Sequence, residues 1–283
     1  TGDVTPRGSM SLANIAYSSR LTWANHLLDR LEDHALNPLF AEDPIEMGMS
    51  GLEDRIIALI STDPMYAEMF VDAFPDDDEP YSISNLTKAL ASFQRNLLSY
   101  NTPFDDYMNG NPDALSDSAK RGLGLFLSER LECFHCHGGF NLSDSLTHES
   151  TPFDEVAFHN TGLYNIDGEG AYPHPNQGIY SLTGDPLDMG RFKAPTLRNI
   201  NQTAPYMHDG SIETLREVIA HYAAGGRTIT EGEYAGVGSE NPYKSEFVPG
   251  FIISEEEITD LLSFLTTLTD ETFLTNPAYS DPF

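Results

Sequence analysis

Only two of the 283 residues are cysteine and only one is tryptophan. Two cysteines exclude a disulfide framework, and a structural zinc site would want a second Cys/His pair at its own short spacing. Basic residues are scarce as well: 15 Lys and Arg stand against 44 Asp and Glu, a formal charge of −29. A chain this acidic repels phosphate backbones and anionic lipid, so no nucleic-acid partner is expected. No apolar run approaches the roughly 18 to 20 residues of a membrane span, so none is expected. The excess charge serves solubility first; a docking face for a basic or metal-loaded partner, or a bound calcium, is the sharper alternative.

Both cysteines fall in one run, Cys133-Phe134-His135-Cys136-His137. C-x-x-C-H is the attachment signature of a c-type haem. Two thiols at a two-residue gap bond to the porphyrin vinyl groups, and the adjacent imidazole becomes an axial ligand of the iron. Haem is attached to such motifs outside the cytoplasm, so the expected address is the periplasm, reached with a leader that has been removed.

The periodicity is helical, with no strand alternation and no internal repeat. Asn25 to Leu36 reads as a short helix with Leu27, Leu28 and Leu31 on one side, closed by Pro38. Residues 51–74 read as two amphipathic helices broken at Asp63-Pro64. Ser82 to Asn101 places Leu86, Leu90, Phe93, Leu97 and Leu98 inward. The Asn-, Pro- and Gly-rich stretch from Asn101 to Pro112 marks a domain boundary, giving regions 1–112 and 113–283. Ser116 to Arg130 delivers the chain to the haem motif, with Leu123, Phe126 and Leu127 as its apolar residues. From Gly138 to Asn201 no period survives, as suits backbone wrapped around a porphyrin. Thr214 to Ala224 and Ser254 to Leu268 are helices opened by capping boxes, Thr214 with Glu217 and Ser254 with Glu257. The class is all-α with long irregular loops.

His137 supplies one axial position, so the second ligand sets the chemistry. Leu215, Val218, Ile219 and Tyr222 recur at i, i+3, i+4 and i+7, which turns the Tyr222 phenol inward. His221 beside it faces solvent on this reading. Spacing alone leaves Tyr222 as a core residue or a ligand, and Met189 and Met207 as packing or ligands.

The runs Thr183-Gly184-Asp185-Pro186, Gly190 to Asn199 and Ala204 to Gly210 resemble the second haem domain of the bacterial di-haem cytochrome c peroxidases and MauG. Ser11 to Tyr17, Thr22-Trp23-Ala24-Asn25 and Pro44 to Met49 resemble the later part of the first haem domain. Leu21 to Asn25 with Arg30 to Asp33 look most like the MbnH-type branch, whose members oxidise a tryptophan of a periplasmic copper-binding partner. The resemblance implies two cytochrome c-like haem domains, with region 1–112 the remainder of the first, peroxide-binding one.

Residue by residue, the resemblance makes Cys133 and Cys136 the thioether anchors and His137 the proximal ligand of the second haem. It puts Tyr222 where peroxidases carry Met and MauG carries Tyr, so Tyr222 becomes the favoured second ligand. Trp23 matches the residue between the two haems, where an indole relays electrons. Glu46 matches the acid beside the peroxide-binding haem, able to move the proton that O–O cleavage needs. Four departures accompany it. The first C-x-x-C-H is absent, so one haem c is bound by this chain and a second is expected from an upstream segment. His34 replaces the usual distal Gln and is either an acid/base or a helix-face residue. Gly8 replaces an Asn that helps hold an inter-haem calcium, leaving the backbone carbonyls of Lys193 and Pro195 as calcium ligands. Leu131 replaces the Trp through which MauG passes holes to its substrate, so any exit must use other residues, such as tyrosines, or direct transfer.

The function implied is a periplasmic di-haem oxidase that uses hydrogen peroxide, through high-valent iron, to oxidise a Trp of a partner protein. The alternatives are a conventional di-haem cytochrome c peroxidase fed by a small cytochrome, and a non-enzymatic mono-haem electron carrier.

Overall fold

The computed structural model describes residues 4–151 and 157–281. Twelve α-helices are assigned among them, with one two-stranded ribbon. In order they are α1 (Leu31–His34), α2 (Leu36–Phe40), α3 (Glu53–Thr62), α4 (Pro64–Ala73), α5 (Ile83–Arg95), α6 (Pro103–Met108), α7 (Asp117–Phe126), α8 (Cys133–Cys136), α9 (Tyr180–Thr183), α10 (Leu215–Ala223), α11 (Glu255–Thr266) and α12 (Glu271–Leu274). Strands β1 (Thr228–Ile229) and β2 (Gly236–Val237) pair antiparallel between α10 and α11. Among the described residues no helix is long and apolar enough to cross a membrane. The expected helical class with long loops is what forms.

Two compact units divide the chain. Residues 27–96 make one with the first few residues, and residues 6–26 with 97–283 make the other. The division therefore falls at 96/97 rather than at 112/113. Hydrogen bonding explains the shift. The Asp270 carboxylate accepts from the Tyr100 and Asn101 amides and the Ser99 hydroxyl. The Phe104 amide donates to Thr267 O at 3.2 Å, and the Phe104 ring meets Phe264 edge-on. Residues 97–112 are thus tied to the C-terminal helices, and Asn14 ties residues 6–26 to the same place through Leu97 and Ser99.

In the smaller unit, Asp63 caps α4, accepting from the Met65 and Tyr66 amides with Pro64 at the first helical position, the break the sequence predicts. Two expectations fail here. Asn25 to Leu36 is not one helix, and Leu27 is exposed. Pro38 lies inside α2, where it opens the helix rather than closing it. On α5, Ala91, Asn85 and Thr87 are buried while Leu90 and Phe93, expected inward, are exposed; Leu86 is half-buried, and Leu97 beyond the helix is buried as expected. Asn85 can turn inward because its amide reaches Asp77 and the Pro80 carbonyl, so its polar group is satisfied.

The larger unit is built on α7 against α11. Both start as the sequence predicts: Ser116 caps α7, and Ser254 with Glu257 forms a capping box on α11. Leu123, Phe126, Ile258, Leu261, Phe264 and Leu265 interdigitate between them. Leu127, expected with this set, is exposed, because α7 has already ended at Phe126. The buried Arg198 guanidinium grips both Asp105 oxygens at 2.8 and 2.9 Å and also the Phe140 carbonyl. Burial alone would raise the Asp105 carboxyl; Arg198 and the Thr102 amide and hydroxyl outweigh it and hold it below the usual range. This one pair anchors the 138–201 loop to α6.

Candidate haem centre

Within the larger unit, α7, α8, α10 and α11 and the irregular loop enclose one cavity, ≈ 1250 Å³ when counted out to solvent. Its wall contains Cys133, Cys136, His137, Trp23, Met207 and Tyr222 together. Leu215, Val218, Ile219 and Tyr222 all line it, so the periodicity of α10 correctly turned the phenol inward.

The chain after α8 folds back on the motif: the Asp144 amide donates to Cys136 O at 2.8 Å and the Ser143 amide to Gly138 O at 3.1 Å. That return sets the Leu142 carbonyl 3.1 Å from His137 Nδ1. Burial disfavours the imidazolium and pushes His137 down, although the Leu142 carbonyl opposes it. A neutral ring with Nδ1–H on a carbonyl leaves the Nε2 lone pair for a metal. Both cysteines are free, and burial pushes the Cys133 thiol up to about 12, which keeps it protonated rather than a reactive thiolate.

Tyr222 lies deep in the protein, and what remains accessible of it faces the cavity rather than bulk solvent. Burial, and then the nearby Cys136 and Cys133 sulfurs, raise its phenol well above its ordinary range. It therefore stays neutral until a cation replaces its proton. His221 is buried, not solvated as its helical position suggested, and burial pushes it down to about 4. The 225–251 segment packs back on α10, with the Phe251 amide on Ala223 O, and covers the side expected to be wet.

Three observations test the cavity against a haem. Its wall is largely aliphatic and aromatic, as a porphyrin face requires. Lys193 lies in that wall at 4% exposure, and among the described residues no hydrogen bond or ion pair reaches its ammonium. Burial pushes it down to about 8, with only the Asp144 charge opposing. A buried cation without a partner wants an anion, and haem carries two propionates. His208, also in the wall, is buried with its Nε2 in no hydrogen bond, although Asp209 Oδ2 lies 3.9 Å away, and burial pushes its ring down to about 4 against that charge. The residues fit the group. Cys133, Cys136 and His137 would anchor it, Tyr222 has its phenol toward the same space, and Lys193 and His208 offer donors to its edge.

Trp23 also reaches the cavity. Its indole N–H donates to Gly8 O at 2.8 Å, and its carbonyl accepts from the Lys193 amide at 2.8 Å. Pro195 lines the cavity too, and its carbonyl faces the His137 ring. Glu46 and His34 belong to the smaller unit, where the Glu46 charge reaches the half-buried His34 ring. Burial lowers His34 and Glu46 only partly offsets it. Sequence reasoning missed the Lys193 side chain, His208, and the Asp144–His159 pair whose imidazole bonds the carboxylate beside Cys136. Asp144, His159 and Lys193 sit in the aperiodic 138–201 loop and His208 in the irregular turn just beyond it, where no spacing rule applies.

The family model for di-haem cytochrome c peroxidases matches residues 1–113. MauG of Methylorubrum extorquens is 32% identical over 268 residues, which are 94% of this chain and 65% of that protein. MauG of Methylophilus methylotrophus is 31% identical, over 93% of this chain and 68% of its own length. The crystal structure of a MauG-like protein associated with microbial copper homeostasis superposes with a TM-score of 0.97 at 47% identity, covering 99% of this chain and 80% of that one. The chain thus spans about two thirds of the curated MauG proteins. By these likenesses the chain belongs to the family of MauG and the di-haem cytochrome c peroxidases.

Proposed function

We propose that this chain carries the haem that stores oxidising power in a periplasmic oxidase of the MauG kind. Hydrogen peroxide is its oxidant, and its electrons come from an aromatic residue, a Trp, of a docked protein. The observation that carries this reading is Tyr222, whose phenol shares the cavity with His137. A haem bound there supplies a redox iron, and a tyrosinate ligand favours its higher oxidation states where a methionine favours electron transfer.

The chain's own residues have distinct tasks. His137 is held as the neutral tautomer by Leu142. Tyr222, its phenol raised by burial, would release its proton to solvent only where a strong Lewis acid such as the haem iron takes the oxygen. Trp23 borders the cavity and would pass electrons between it and a second haem. Glu46, with His34 beside it, would move the protons that peroxide cleavage consumes. That second haem, and a calcium on the Lys193 and Pro195 carbonyls, are part of the same proposal. A copper-binding partner is supported by the copper homeostasis linked to the similar MauG-like structure.

The alternative, a peroxidase fed by a small cytochrome, draws on relatives such as cytochrome-c peroxidase IdrP1 and on Met207, which lines the same cavity. One experiment separates the two. The haem-loaded protein is given peroxide and a periplasmic copper-binding protein, and the partner's mass is followed. An oxygen-adding mass shift on one partner Trp is expected. Unchanged partner, with peroxide consumed only when a reduced cytochrome is added, favours the peroxidase.

A further inference from the structure

Beside the haem cavity lies a file of aromatic rings that the proposed chemistry does not use. Phe192 and His208, both in the cavity wall, stack at 3.6 Å and 11°. The Tyr172 ring is 6.2 Å from Phe192 and 6.5 Å from His208. Tyr164 follows at 5.5 Å, edge to face, and Tyr234 at 5.8 Å, again edge to face. Tyr172 is 2% exposed and Tyr164 6%, whereas Tyr234 is 40% exposed. The file thus runs from the cavity to solvent in steps of about one ring.

A packed core also collects aromatics, but two features here exceed packing. The Tyr164 hydroxyl donates to the Asp209 carboxylate at 2.7 Å, although any carbonyl would satisfy a core phenol. At the surface, the neighbouring Glu233 carboxylate raises the Tyr234 phenol. Oxidising a tyrosine releases a strongly acidic proton, so a carboxylate in contact is what a redox-active tyrosine needs. Tyr172 has different support: its hydroxyl donates to Asn160 Oδ1 at 2.8 Å, and its ring packs directly against Gly190. A Cβ on Gly190, which has φ +71°, would fall 2.2 Å from that ring. Tyr172 is therefore fixed as a bridge without a base of its own.

We propose that Tyr234, Tyr164 and Tyr172 form an electron-entry relay from the protein surface to the haem cavity, with Tyr164–Asp209 as its proton-coupled station. It rests on the peroxide-driven reading above. Tyr164 gives one electron toward the cavity, through Tyr172 and the Phe192–His208 stack, while its phenolic proton moves to Asp209. Tyr234 then returns an electron to Tyr164, Asp209 returns the proton, and the Tyr234 proton passes to Glu233 and solvent. After each passage a Trp of the docked partner returns an electron to Tyr234 and Glu233 or solvent returns its proton; two such passages carry the two electrons, and solvent supplies the two protons, that reduce one peroxide to two waters. Leu131 occupies the place of the Trp exit in MauG, and this file lies elsewhere in the same unit.

The test treats haem-loaded protein with peroxide and a nitroso spin trap, without a partner. The haem absorption is followed, and adducts are mapped by mass spectrometry and counted per haem oxidised. The wild type should carry its adduct on Tyr234. Tyr164→Phe should lower that yield at least tenfold, and Asp209→Asn should lower it too. Tyr234→Phe, a surface change that cannot disturb the core, should move the adduct off residue 234 and prolong the oxidised haem spectrum. Adducts on Tyr234 undiminished in Tyr164→Phe, or oxidised haem that decays unchanged in Tyr234→Phe, would overturn the relay while leaving the oxidase reading intact. A wild-type haem spectrum indifferent to peroxide would overturn both, since the relay would have no oxidant.

Discussion

Replacing Tyr222 with Met should raise the reduction potential of the His137 haem by a large part of the roughly 0.8 V over which axial ligation sets such potentials. The phenolate is a hard anion that stabilises ferric iron; a thioether is soft and neutral and favours the ferrous state. The side chains are close enough in length for Met to reach from the same α10 position without disturbing Leu215, Val218 and Ile219, which hold that face against the cavity. Redox titration of the wild type and variant, each with covalent haem confirmed by mass, measures the difference. The variant should also lose its long-lived state after peroxide, because little then stabilises the oxidised haem. An unchanged potential would show that the phenol merely packs against the porphyrin.

The second large effect concerns the scaffold. Gly122 sits on α7 where α11 crosses closest, and a Cβ there would lie 2.0 Å from Asp260 O and 2.9 Å from Phe264 Cβ. Backbone cannot swing aside as a side chain can, so Gly122→Ala must push the two helices apart. Since these helices carry the main core and part of the cavity wall, the expected loss is about 3 kcal/mol or more, a large share of a domain's stability. Gly124, two residues on and exposed, meets nothing within 4 Å. Gly124→Ala should therefore gain up to about 1 kcal/mol from helix propensity alone. Urea denaturation of the haem-loaded variants, followed by far-ultraviolet circular dichroism, compares them. Equal effects at the two positions would contradict the close approach.

This contrast also shows what the sequence revealed and what it hid. The capped helices were legible because a Ser or Thr three residues before a Glu, followed by apolar residues at helical spacing, states a start and a face. That logic located α10 and α11 and turned Tyr222 inward. It failed on α5, where buried Asn85 defeats an assumption that only apolar residues point inward. It failed again at the unit boundary, because the Asn- and Gly-rich 101–112 stretch looks like a linker yet is fastened by Asp270 and Thr267, more than 150 residues away. The haem motif is visible because covalent attachment fixes both residue type and spacing. Lys193, His208 and the Tyr164–Asp209 pair are invisible for the opposite reason: a loop holds them in place by contacts distant in sequence.

The central claim is that His137 and Tyr222 are the axial pair of a haem held by Cys133 and Cys136. Resonance Raman spectra of the ferric protein, excited in a phenolate-to-iron charge-transfer band, test it most directly. With ring-deuterated tyrosine incorporated, tyrosinate ring modes should appear and shift, and Tyr222→Phe should abolish them. A spectrum without tyrosinate modes, accompanied by a near-infrared methionine-to-iron band that survives in Tyr222→Phe, would contradict the account.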